Sequence, residues 1–207
     1  ADKLGALLTE SFERNAKATN LMRLATLLGS KDEAGGSRGL DIKVTVKRKD
    51  GRSHSLDIAS LPTFHDGDRV DLVLSNRGNA PIDVTVLYLD SEYGIDIFFP
   101  DPKAPGSANR IEANSLPITI PIDLVATTIG MERLIVVAVE AKKHEMQSDF
   151  SFLKQARLER TRGHTGGLDA LFIEAGFGQE ATRGASIQRG AKQNAEVRVI
   201  SWRIEGK

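Results

Sequence analysis

The chain has 207 residues, 28 of them Lys or Arg and 28 Asp or Glu, so its formal net charge is zero; 40% of its residues are apolar and 27% charged. That makeup suits a globular protein able to bury a sizeable core, and its interspersed charges argue against a nucleic-acid partner, which requires clustered basic side chains. The absence of cysteine excludes disulfides, thiolate metal sites and a cysteine nucleophile. No apolar run approaches the roughly 20 residues of a membrane-spanning helix, so no membrane span is expected. The compartment is left open.

Leu4, Leu7, Leu8, Phe12, Leu21, Leu24, Ala25 and Leu28 recur at helical spacing, which predicts an N-terminal amphipathic helix over residues 1–29, broken near Asn15 to Asn20 and closed by Gly29. Residues 30–39 are rich in Gly, Ser and charge and read as a linker. The period then changes to two. Over residues 40–207 the pattern predicts a mainly β domain with helical additions, an antiparallel, immunoglobulin-like β-sandwich.

Leu40, Ile42, Val44 and Val46 alternate with polar residues before the turn at Asp50-Gly51. A three-residue loop, Lys49-Asp50-Gly51, sets Leu56 opposite Val44 and Ile58 opposite Ile42, and it requires Gly51 at positive φ. Val70, Leu72 and Leu74 continue the alternation, followed by Ile82, Val84, Val86 and Tyr88, then by Ile95, Ile97 and Phe99. Leu116, Ile118, Ile120 and Ile122 alternate too, but Pro117 and Pro121 confine that run to a sheet edge. Leu134 to Val139 is apolar without alternation and should form a strand covered on both faces. Short helices are expected near Asp149 to Arg157 and Leu168 to Ala175, the second capped by Gly176. In the last strand, Val197 to Ile204, apolar parity shifts between Val199 and Ile200, so either a bulge or cover on both faces is expected.

Searching for chemistry yields little. His54, His65, His144 and His164 are scattered through turns and loops, with no helical pair to grip a zinc ion. No G-x-S-x-G elbow marks a nucleophilic serine, although a Ser, a His and an Asp could still be assembled by the fold. Gly184 to Lys192 departs from a phosphate loop in both its glycine spacing and its lysine, and Asp90, Glu92 and Asp96 lack EF-hand spacing. No cofactor and no metal are expected. Tyr88, Tyr93 and Phe99, with Arg110 if the next strand pairs alongside, are candidates for a partner-binding patch against the alternative of core packing. Arg160, Arg162 and Arg183 lie in Gly-rich segments where a peptidase of basic specificity could cut.

Val84-Thr-Val-Leu-Tyr-Leu-Asp-Ser-Glu-Tyr-Gly-Ile-Asp-Ile-Phe-Phe-Pro100, followed by Asn109-Arg110-Ile111, resembles the domain of unknown function found C-terminal to caspase-like peptidase domains in bacterial multidomain proteins. Gly130 to Val139, Ser148 to Leu153 and Asn20 to Ala25 are similar to further segments of that family, in the same order. The resemblance implies a parent polypeptide acting in proteolysis through a Cys and His located upstream of Ala1. It implies for this chain a non-catalytic accessory or regulatory role, its partner being that peptidase domain or another protein. A hydrolase with a fold-assembled Ser, His and Asp, or a structural, envelope-associated module, stand as the alternatives.

Overall fold

Residues with alternating side chains form strands here because one face of each can be buried while the backbone pairs with its neighbours. The computed structural model describes residues 2–29, 39–57, 59–103, 108–125, 129–141, 146–155 and 195–206. Helix α1 spans Asp2–Gly29. The strands are β1 (Leu40–Lys47), β2 (Ser53–Leu56), β3 (Thr63–His65), β4 (Arg69–Asn76), β5 (Ile82–Leu89), β6 (Ile95–Phe99), β7 (Arg110–Ile111), β8 (Ile118–Asp123), β9 (Gly130–Glu140) and β10 (Ala195–Glu205). They form two sheets, one ordered β2-β1-β4-β8 and the other β3-β10-β9-β5-β6, with β7 also paired to β5.

The first hairpin follows the sequence expectation. Gly51 has φ +88°, Val44 lies opposite Leu56, and Arg48 and Arg52 close the three-residue loop through backbone hydrogen bonds. Ile58 is outside the described residues. Strand β8, with Pro121 inside it, is an edge strand, as a missing N–H donor demands. The expected break in the leading helix does not occur: α1 runs unbroken through Asn15 to Asn20.

Two cores share the larger sheet. Val44 and Val46 of β1, Val70, Leu72 and Leu74 of β4 and Ile120 and Ile122 of β8 meet Val84, Val86, Leu134, Val136, Ile200 and Trp202 across the gap between the sheets. The other face of the larger sheet carries Leu87, Leu89, Ile95, Ile97, Ile135, Val137 and Val197, and these pack against Ala18, Leu21 and Ala25 of α1 and against Phe150 and Leu153. Strand β9 therefore has apolar cover on both sides, which explains its unbroken apolar run. The same double cover accounts for the parity shift in β10. Its register against β9 runs without interruption from Ala195 to Ile204, so no bulge is present; Val197 and Val199 face the helix, while Ile200, Trp202 and Ile204 face the other sheet.

Three expectations need correction. Ile95, Ile97 and Phe99 do not share a face, because the register of β6 against β5 slips between Val86 and Leu87: Ile97 opposes Leu87 while Phe99 opposes Val86. The extra residue, Phe98, turns both phenylalanines toward the core between the sheets. The pairing is not wholly antiparallel either, since β3 runs parallel to β10. Finally, no α-helix follows β9 among the described residues; Asp149 to Gln155 contains a single 3-10 turn, Ser151–Leu153, held by bonds to the Phe150 and Ser151 carbonyls. The expected helix at Leu168 to Ala175 lies outside the described residues.

Candidate functional site

The registers bring one set of chain turns to a common end of the molecule. In the smaller sheet Lys47 pairs with Arg69 and Arg69 with Asp123; in the larger, Leu89 pairs with Arg133 and Ile204 with Phe64 and Gly130. The short link from His65 to Arg69 joins the two sheets at this end, so the turns 48–52, 66–68 and 90–94 and the connection after β8 gather there.

Just inside that end a row of large side chains crosses the larger sheet. Phe98 stacks on Tyr88 with ring centres 4.8 Å apart, Tyr88 lies 6.4 Å from Trp202, and Trp202 meets Phe64 edge-on at 5.9 Å. Glu132 of β9 occupies the middle of the row. Its carboxylate accepts the Trp202 Nε1–H at 3.0 Å and bonds the Tyr88 hydroxyl, so this buried acid has partners from both neighbouring strands. Burial, and then the adjacent Glu132, push the Tyr88 phenol well above the usual tyrosine range. These are the terms of a satisfied internal network rather than of a reactive acid.

Where the row ends, the edge strands β2 and β3, one from each sheet, border an open groove of about 440 Å³ lined by Arg48, Lys49, Asp50, Arg52, His54, His65 and Asp68. Asp68 organises it. Its carboxylate accepts Arg48 Nη1 at 2.6 Å, the Lys49 backbone N–H at 3.1 Å and the His65 backbone N–H at 3.0 Å. Burial opposes its ionisation, yet the bonds from His65, Arg48 and Lys49 outweigh burial and hold the carboxyl below the usual carboxylate range. Arg48 also donates Nη1 to the Thr63 carbonyl at 3.0 Å, and its guanidinium lies 5.2 Å from the centre of the Phe64 ring. Asp50 is taken by Arg52, which holds the carboxyl below and the guanidinium above their ordinary values.

The residues singled out in the sequence are not brought to one place. Tyr88 faces the core between the sheets, and Phe99 is half-buried against the same core. Arg110 lies on the opposite side of the larger sheet, where Nε and Nη2 bind the two oxygens of Asp83 at 2.8 and 3.0 Å. The same carboxylate takes the Ser148 backbone N–H at 2.8 Å. Tyr93 alone of the four stands out from the surface, 45% exposed, at the tip of the β5–β6 turn. Its φ is +65°, a conformation costly for a tyrosine, and the turn is tied by Asp90, whose carboxylate accepts the Glu92 and Gly94 N–H groups at 2.8 and 2.7 Å. Ile129, 67% exposed, is on the adjoining connection: Gly130 lies against Ser91, close enough that a Cβ there would sit 3.0 Å from the Ser91 side chain.

The chain matches no family model and no curated protein. Among the described residues no three His, Asp or Glu side chains gather as metal ligands. His65 reaches Asp68 only through its backbone N–H, and Ser53 and Ser55 flank His54 along a strand, which sends their side chains to the other face. Arg160, Arg162 and Arg183, with His144 and His164, lie outside the described residues. Sequence reasoning missed Glu132, Asp83, Asp68 and Arg48. The turn His65-Asp66-Gly67-Asp68 was the available signal for one of them, since Asp is the residue type that bonds nearby backbone N–H groups.

Proposed function

We propose that this chain is a non-catalytic accessory domain that binds a protein partner, its caspase-like peptidase domain by the resemblance above, through the end of the molecule that carries Tyr93 and Ile129. One observation supports this reading above others: a tyrosine in the left-handed region, fixed by the hydrogen bonds around Asp90, projects into solvent at the end of the molecule that also carries exposed Ile129. Ordinary turns place Gly, Asn or Asp at such a position, and a rigid exposed aromatic is a residue type enriched among interface anchors. Val125, 63% exposed, follows β8 at the same end of the molecule.

The arrangement we infer is an immunoglobulin-like sandwich. With β1, β4 and β8 taken as the A, B and E strands and β5, β9 and β10 as C, F and G, the order β1-β4-β8 against β10-β9-β5 matches that plan. Such folds present binding loops at their ends. The Val84 to Pro100 stretch that carries the family resemblance is β5, the Tyr93 turn and β6, so it includes the proposed anchor.

The experiment is a binding measurement by calorimetry between this chain and the peptidase domain of its parent polypeptide. Tyr93→Ala and Ile129→Asp should each weaken binding by at least tenfold, corresponding to about 1.4 kcal/mol for an anchor side chain. Unchanged affinity in both variants would refute the proposed surface.

A further inference from the structure

We propose that the groove between β2 and β3 is a binding site for an oxyanion, a phosphate-type or carboxylate group carried on a larger molecule. This site is separate from the Tyr93 surface and does not depend on the partner reading.

Both carboxylates of the groove are already engaged. Asp68 is engaged by Arg48 and two backbone N–H groups, and Asp50 by Arg52, so neither carboxylate is left to neutralise a further cation. Lys49, His54 and His65 line the same groove and take no carboxylate partner among the described residues. Three cations, Arg48, Lys49 and Arg52, against Asp50 and Asp68 leave the lining one net positive charge.

The Arg48 guanidinium is preorganised. Arg48 spends Nη1 on Thr63 and Asp68, and Phe64 supports the flat of its guanidinium. Nε and Nη2 have no acceptor among the described residues. A guanidinium locked in place with an unused pair of donors is matched to two oxygens of one anion, and the cost of ordering it has been met by the fold. The location follows from the strands. His54 shares the face of its partner Val46, toward the gap between the sheets; His65 borders the groove at the end of β3, its side chain alternating with the inward Phe64. A groove of about 440 Å³ exceeds a single oxyanion and leaves room for the rest of the molecule that bears it.

The test follows the ring signals of the histidines by NMR in the full chain, at constant ionic strength, as sulfate is added and, in a parallel series, acetate. The expected result is saturable movement of the ring signals of His54, which lines the groove from β2. Lys49→Gln and His54→Gln, both at exposed positions, should each weaken binding by roughly two- to fivefold. Saturation by sulfate alone supports a site for a phosphate-type group, saturation by acetate alone a site for carboxylates, and saturation by both a general oxyanion site. Linear, unsaturating shifts in both series, or affinities unchanged in both variants, would overturn the proposal.

Discussion

The Arg110–Asp83 pair allows a sharp test of whether Arg110 serves the fold or a partner. The Asp83 side chain is 2% exposed and holds both Arg110 and the Ser148 N–H, whereas the Arg110 side chain is 19% exposed. Replacing Arg110 by Met leaves a buried carboxylate with Ser148 as its remaining partner here, and breaking a buried pair in this way costs about 3–5 kcal/mol. Asp83→Leu is milder. The guanidinium left behind can turn toward water, and the orphaned Ser148 N–H accounts for about 1–3 kcal/mol. The double variant removes both charges and should recover most of the larger loss, because an apolar pair of similar volume often matches a buried ion pair. Urea unfolding measures all three, read through the fluorescence of Trp202, the chain's single tryptophan and a fully buried one. With a slope of about 2 kcal/mol per molar urea, Arg110→Met should lower the midpoint by roughly 1.5–2.5 M. A loss below about 0.5 M, or a double variant whose loss equals the sum of the single losses, would refute a structural role and return Arg110 to the partner surface.

Two further predictions concern ionisation. The Asp68 carboxyl is held below its ordinary value in the folded chain, so its contribution is present above the unfolded value near 3.8 and is lost as pH falls from there through the folded value; Asp68→Asn should lower the urea midpoint near neutrality and flatten its decline between about pH 5 and pH 2. The raised Tyr88 phenol has the opposite dependence, its contribution being complete below the ordinary value of 10.0 and lost as pH rises past it. In a Tyr93→Phe chain, where Tyr88 is the only tyrosine, phenolate absorbance should appear only together with loss of the folded Trp202 signal. Phenolate appearing in the folded protein near pH 10 would contradict the Tyr88–Glu132 bond.

Much of the fold can be read from single residues. Gly51 announced its own turn, the two prolines placed β8 at an edge, and the unbroken run from Leu134 to Val139 marked the strand buried on both sides. What stayed hidden depended on partners remote in the chain. Glu132 looks like any surface acid until Trp202, 70 residues later, arrives beside it. Strand β3 has three residues, too few for a period to register, and only its parallel pairing to β10 makes it a strand. The slip at Phe98 was invisible because alternation assumes one residue opposite one. Of the candidate site, Tyr93 was legible only as one of four residues offered for a partner patch; its left-handed backbone was not, since nothing in a tyrosine's chemistry favours it. The Arg48 groove joins turns from both sheets, and no local pattern foretells that meeting.

The larger sheet is greasy on its back as well as its front. Leu87, Ile135, Val137 and Val197 are dry beneath α1 and the Phe150–Leu153 segment, with Leu21 of the helix wholly enclosed. A chain shortened to begin at residue 39 would keep every strand and still bare that surface to water. It would behave as a sticky protein, clumping or soaking up detergent, so the leading helix is as much a wall of this molecule as any strand.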